Sequence, residues 1–152
     1  MRITAKADYA IRAMVELAAG TPQAAVKAER IAGHQDIPLR FLLNILGELK
    51  LGRLVDSRRG PEGGYWLARD PASITLADVI RAVEGPLAEV HGIPPERLTY
   101  PAPATALRDV WIATRVVLRH VLEGVTVADI VAGALPSHIE AELADPGAWQ
   151  RR

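Results

Sequence analysis

The sequence predicts a mainly α-helical fold with one small β-hairpin and a long helix near the C-terminus. Three observations carry that expectation. Apolar residues recur at helical spacing through the first third of the chain. The stretch RRGPEGGYWLAR, Arg58 to Arg69, reads as a glycine-rich turn running into a strand. Further on, Leu107 to Leu122 keeps one helical face apolar without interruption.

Element by element, Thr4 is placed as an N-cap. The helix after it sets Ala7, Tyr9, Ala10, Ala13, Met14, Leu17 and Ala18 on one face and ends at Gly20. A linker through Pro22 leads to a second helix, about Ala25 to His34, marked by Ala28, Ile31 and Ala32. Gln35, Asp36 and Ile37 make the turn. Pro38 suits the first turn of a third helix, which runs through Phe41, Leu42, Ile45, Leu46 and Leu49, with Gly52 as its left-handed stop. Two short helices on a tight turn, followed by a longer one, fit a helix-turn-helix. Next, Leu54 to Ser57 reads as a strand that returns as Tyr65 to Ala68 around Gly60, Gly63 and Gly64. A basic hairpin directly after a helix-turn-helix is the order of a winged helix-turn-helix, here residues 1–85 with the wing at 54–69.

The remainder is helical and distinct. Thr75 caps a helix from Leu76 to Glu84 that stops at Gly85-Pro86. Residues 86–104 hold five prolines and no helical period, so an irregular loop is expected. A long helix follows, about Thr105 to Glu123. Its stripe of Leu107, Val110, Trp111, Thr114, Val117, Leu118, Val121 and Leu122 opposes Arg108, Arg115 and Arg119. That is more apolar face than a short neighbouring core covers, which predicts a dimerisation surface. Thr126-Val-Ala-Asp-Ile-Val then echoes Thr75-Leu-Ala-Asp-Val-Ile, an echo that capping and amphipathicity produce without a true repeat. The dimerisation helix and a short successor fill 105–135, and residues 136–152 read as a weakly ordered tail.

Composition bounds the function. The 152 residues suit one domain, or a small domain with an extension, and 49% apolar with 24% charged is ordinary for a soluble protein. No apolar run is long enough to cross a bilayer. The start, MRITAKADYAIRAM, is broken by charges, unlike a signal peptide. With no cysteine, disulfide frameworks, thiolate zinc sites and cysteine-ligated iron–sulphur clusters are excluded, and a cytoplasmic location is expected. Net charge is zero, yet residues 1–70 carry eleven Lys/Arg against eight Asp/Glu, and residues 71–152 carry seven against ten. A modestly basic front half is what a polyanion partner favours.

The hairpin admits three chemistries. As a phosphate cradle it lacks the lysine and hydroxyl that end a P-loop, and a strand rather than a helix follows it. A plain surface turn leaves the adjacent Arg58 and Arg59 unexplained. A DNA-binding wing uses them, on phosphates or in the minor groove. On the third helix, Leu39, Arg40, Leu43 and Asn44 lie outward near the N-terminal end. Arg40 can pair with guanine, Asn44 with adenine, and Leu43 can meet a thymine methyl. The bland alternative makes Arg40 and Asn44 solvated positions. His34, His91, His120 and His138 are scattered; His138 with Glu142, and Glu89 with His91, read as solvated neighbours. No metal site, cofactor or enzymatic constellation is expected.

Taken in order, MRITAKADYAIRAM, IPLRFLLNIL, LVDSRRGPEGGYWLARD and ITLADVIRAVEGPL resemble the IscR/NsrR/CymR-type regulators, the Rrf-two family. The likeness runs from Met1 to about Leu87 and more loosely to about Val131. It implies a bacterial winged-helix transcription factor, usually a repressor, that is a homodimer through its long helix and binds double-stranded DNA. The implied base-reading surface falls on Leu39, Arg40, Phe41, Leu43 and Asn44. The implied wing covers Arg58, Arg59, Gly60, Gly63, Gly64 and Tyr65, and Arg2, Thr4 and Lys6 would lie near phosphates. Members commonly carry a glutamate and a glutamine at reading positions where this chain has Leu43 and Asn44, which implies a different operator.

Many such regulators hold an iron–sulphur cluster through three cysteines in the segment matching His91 to Pro103. That segment has none here, and Asp8, a carboxylate ligand in some members, has no thiolates to join. The inputs left open are a small molecule, a protein partner or no effector. His91, Tyr100 and Trp111 are the candidate lining of an effector pocket, set against a shortened loop that merely covers the core. From another class, a protein-interaction module on a winged-helix scaffold is favoured by Leu43 and neutral net charge, and DNA binding by Arg40, Arg58 and Arg59.

Overall fold

The computed structural model of the chain describes residues 2–21 and 24–150. Pro22, in the expected linker, lies outside them. Among the described residues there are seven α-helices and a two-stranded antiparallel hairpin, so the predicted class stands.

Helix α1, Ala5–Ala19, begins where the Ala7 amide donates to the Thr4 hydroxyl at 3.0 Å. It buries Ala7, Ala10, Ala13, Met14 and Leu17, the stripe the periodicity predicts. Helix α2 is Ala28–Gln35, three residues shorter at its start than expected. The difference has a cause: Val26 is taken into an antiparallel bridge with Tyr65. Asp36, at φ 50°, makes the turn into α3, Leu39–Leu51. Leu42, Ile45, Leu46 and Leu49 are fully buried there.

Gly52 is not the left-handed stop expected of it. It sits at φ −72°, and Arg53 takes the positive φ, 56°. Glycine is needed at 52 for a different reason, since a Cβ there would come within 2.9 Å of the Ala82 Cβ. Strands β1, Val55–Arg58, and β2, Gly64–Leu67, pair in the register Val55 with Leu67 and Arg58 with Gly64.

Helix α4, Leu76–Glu84, opens on a reciprocal capping box between Thr75 and Asp78. Helix α6, Val127–Ala132, repeats that box with Thr126 and Asp129. Hydrogen bonds from the Thr126 backbone, then from its hydroxyl, hold the Asp129 carboxyl below its usual range. The sequence echo has a structural counterpart. Thr75 and Thr126 face each other in an antiparallel bridge, with Leu76 N–H on the Val125 carbonyl and Val127 N–H on the Ile74 carbonyl, each at 2.9 Å. Both helices then pack on α1.

Between them, the proline-rich segment is irregular as expected, and α5, Leu107–Leu122, lies against α4 and the short 3-10 turn Pro95–Arg97. No residue of α5 is fully buried. Within the segment expected to be a weakly ordered tail, Ser137–Leu143 forms α7 and Pro146–Trp149 a 3-10 turn. Ile139 anchors that helix, a single buried side chain that gives little periodicity to read.

Candidate nucleic-acid interface

Burial of Leu42, Ile45, Leu46 and Leu49 turns the opposite face of α3 outward. Leu39, Arg40, Leu43 and Asn44 are all exposed there, on one continuous strip. Phe41, included in the implied reading surface, lies to the side of that strip. Its ring meets Tyr9 of α1 edge to face, with centroids 5.8 Å apart. Arg12 stacks over the other partner, 5.4 Å from the Tyr9 centroid, and hydrogen-bonds the Gln35 carbonyl and side chain.

Glu16 completes a polar strap across the helix-turn-helix. It accepts from Gln35 Nε2 at 2.9 Å and lies 2.9 Å from His34 Nδ1. Burial would raise its carboxyl, but the hydrogen bonds from Gln35 and His34 outweigh that and hold it below its usual range. The strap fixes the angle at which α3 leaves the turn.

Of the amino-terminal trio, Arg2 is exposed. Thr4 is occupied twice, accepting at the α1 cap and donating to Glu84 Oε1 at 2.5 Å. Lys6 pairs with Glu48 of α3 at 2.7 Å. The last two are therefore held by the fold, whereas Arg2 makes no side-chain contact of this kind among the described residues.

The wing divides in the same way. Arg59 is exposed, and Arg58 Nη2 reaches back to the Glu62 carbonyl at 3.1 Å, closing the turn. Gly60, at φ 105°, forms the exposed tip. Gly63 and Gly64 are buried and shape the wing rather than present it. A Cβ on Gly63 would lie 2.1 Å from the Arg58 carbonyl oxygen, and one on Gly64 would lie 2.6 Å from that of Val26. Tyr65 is half-buried and exchanges two 2.8 Å backbone hydrogen bonds with Val26.

Two lysines join this surface that sequence reasoning missed. Lys27 precedes α2 and donates to the Gly60 carbonyl at the wing tip, 2.8 Å away. Lys50, in the last turn of α3, donates to the Ser57 hydroxyl of β1 at the same distance. Their signal in the sequence is only a charge beside each element, and the pairing needs the wing's position. The result is a surface carrying Lys27, Arg40, Lys50 and Arg59 around exposed Leu39 and Leu43. It offers cations for phosphates and a protruding helix for base edges.

The family model described as "Rrf2: Iron-dependent Transcriptional regulator" matches residues 3–133. The chain belongs to the Rrf2 family. It is 52% identical over 145 residues to Rv1287 of Mycobacterium tuberculosis (strain ATCC 25618 / H37Rv), a predicted HTH-type transcriptional regulator, covering 95% of this chain and 89% of that one. Identity to the HTH-type transcriptional regulator CymR of Bacillus subtilis (strain 168) is 31% over 132 residues, covering 87% and 91%. Among solved structures, that of B. subtilis CymR, the global cysteine regulator, superposes with a TM-score of 0.74 at 29% identity, covering 88% of this chain and 98% of the other. This Rrf2 protein is thus a DNA-binding transcriptional regulator with a winged-helix fold, in a family of regulators rather than enzymes.

Its donor set does not fit the iron in the family description. The chain has no cysteine, and the described residues bring no three His, Cys, Asp or Glu side chains together as a metal site. The expected effector trio is only partly assembled. Trp111 Nε1 donates to the Tyr100 hydroxyl at 3.1 Å, while His91 is exposed on the Val90–Ile93 turn at φ 54°.

Gly64→Ala tests the wing's attachment. With Gly64 at φ 151° against the Val26 backbone, the strain alone is expected to cost about 1–3 kcal/mol. Chemical denaturation reports that loss, and amide exchange at Tyr65 should accelerate with it.

Proposed function

We propose that the protein is a homodimeric repressor that reads a pseudo-palindromic operator, with α3 in the major groove and the wing in the flanking minor groove. The observation that carries the reading is the outward strip of Leu39, Arg40, Leu43 and Asn44 beside the Arg59 wing, with the opposite face of α3 wholly buried. Arg40 can approach guanine and Asn44 adenine, and Leu39 and Leu43 add apolar contacts to thymine methyls. Arg59, Lys27, Lys50 and Arg2 supply phosphate neutralisation. Input is independent of an iron–sulphur cluster.

The dimer reading rests on α5. The predicted stripe divides when the helix is in place. Leu107, Trp111, Leu118 and Leu122 turn partly into their own chain, whereas Val110, Val117 and Val121 stay exposed, joined by Val116. Thr114 lies at the border, half-buried, its hydroxyl donating to the Val110 carbonyl. Val110 and Val117 are 53% and 64% exposed, an apolar ridge on a helix with no fully buried residue. A second copy of the same ridge, related by a two-fold axis, covers it and sets two reading helices about one DNA turn (~10 bp) or a small multiple apart.

Selection of bound fragments from the organism's own genomic DNA tests the reading as a whole. Enrichment of a palindrome supports it, and no enrichment with retained protein binding favours the interaction-module alternative. Arg40→Ala is expected to relax base preference at one position of each half-site, at about 1–3 kcal/mol. Equal loss on specific and nonspecific DNA would assign it to phosphate instead. Arg59→Ala should weaken binding on all sequences and lower the slope of log affinity against log salt by about 1. Val117→Glu should convert the dimer to a monomer in light scattering at micromolar concentration, with unchanged helical content by circular dichroism.

A further inference from the structure

A cleft of about 330 Å3 opens between the C-terminal end of α4 and α5, lined by Arg81, Gly85, Pro86, Leu87, Arg115 and Arg119. Neither the family description nor the expected trio of His91, Tyr100 and Trp111 accounts for it. Three arginines line this one small cavity, with Leu87 and Pro86 beside them.

The partners of those guanidinium groups are few and exposed. Arg81 Nη2 hydrogen-bonds Glu123 Oε1, and Arg119 Nε stands 3.8 Å from the same oxygen. One carboxylate thus serves two arginines. Arg115, the most buried of the three, holds Glu96 through a single 2.6 Å contact. The Glu96 carboxyl is held below its usual range, by its own backbone N–H first and then by Arg115. Asp78 is 3.9 Å from Arg81, but its carboxylate is engaged in the Thr75 capping box. Among the described residues, Arg119 makes no side-chain hydrogen bond. Most of the donors around the cleft therefore have no protein acceptor.

We propose that this cleft binds a small organic anion, carrying a carboxylate or a phosphate on a short hydrocarbon body, and that Glu123 holds the ligand's place in its absence. Guanidinium forks match either group in bidentate fashion, which a single shared glutamate oxygen does not satisfy. Leu87 and Pro86 meet the hydrocarbon part. The two walls belong to different parts of the molecule: α4 packs on α1 and α3, and α5 carries the exposed valine ridge. An anion bridging Arg81 to Arg115 and Arg119 joins the DNA-binding half to α5. Its binding does not depend on the operator reading, because it is measured on the free protein.

Isothermal titration of the full chain with sodium phosphate and, separately, with sodium succinate tests the site, at an ionic strength held constant with sodium chloride. Saturable binding of at least one probe is expected, and the preferred probe identifies the ligand's acidic group. Arg119→Gln should weaken binding about tenfold or more. Glu123→Gln should tighten it severalfold by removing the internal competitor. Both side chains are about half exposed (48% and 44%), so both variants keep the fold. Absence of saturable binding would overturn the proposal, as would binding that both substitutions leave unchanged. Either result would leave DNA selection by the same protein unaffected.

Discussion

The close approach of other elements to α1 is the constraint on which the architecture depends. Ala7, Ala10 and Ala13 give that helix a thin face, and Met14 and Leu17 fill the space beyond it. Small side chains let α4 and α6 lie against the same helix, while α2, α3 and β2 use its remaining sides. A larger residue at Ala10 or Ala13, both with no exposed surface, would push at least one of these elements away. The mutual bridge between Thr75 and Thr126 is a consequence of that crowding, because it lets two capped helices start side by side and descend on α1 together.

The outward surface of α3 and the wing inherits its geometry from this frame through three ties. The Arg12–Gln35–Glu16 strap fixes the turn before α3, and the Tyr9–Phe41 pair holds the flank of α3 on α1. The Val26–Tyr65 bridge binds β2 to the segment before α2. None of these ties uses a side chain of Leu39, Arg40, Leu43 or Asn44. Among the described residues, Arg40, Asn44 and Arg59 make no side-chain hydrogen bond or ion pair that would hold them to the fold. Thr4 and Lys6 illustrate the opposite case, because their polar groups are already spent on Glu84 and Glu48.

Legibility in the sequence followed the range of the interaction. Helices with strong period and local caps, α1, α3 and α4, were readable because the determining residues lie within one or two turns of each other. The wing was readable from its glycines, although what those glycines avoid was not: Gly64 answers to Val26, thirty-eight positions away in sequence. The same separation in sequence hid the loss of Ala25, Val26 and Lys27 from α2. Gly52 was misread because glycine after a helix ordinarily signals a left-handed stop, whereas here it admits Ala82 of α4. The outward placement of Arg40 and Asn44 was legible from periodicity alone, whereas the contacts of Lys27 and Lys50 depend on where the hairpin folds back.

Helix α5 has a dual character that periodicity could not resolve. A single apolar stripe was legible, yet the structure splits it into a half-buried side and an exposed valine ridge, and sets Arg115 and Arg119 beside α4. That arrangement makes α5 peripheral to the core and dependent on whatever covers it. In the reading proposed here, one side is covered by a second copy and the arginine side by an anion. The absence of cysteine removes thiolate ligation, and the arginine-lined cleft between α4 and α5 does not depend on it. A ligand in the proposed cleft meets both α4 and α5 and none of Leu39, Arg40, Leu43 and Asn44. The outward strip of α3 and the proposed anion cleft share no side chain, so either surface can change its chemistry without altering the other.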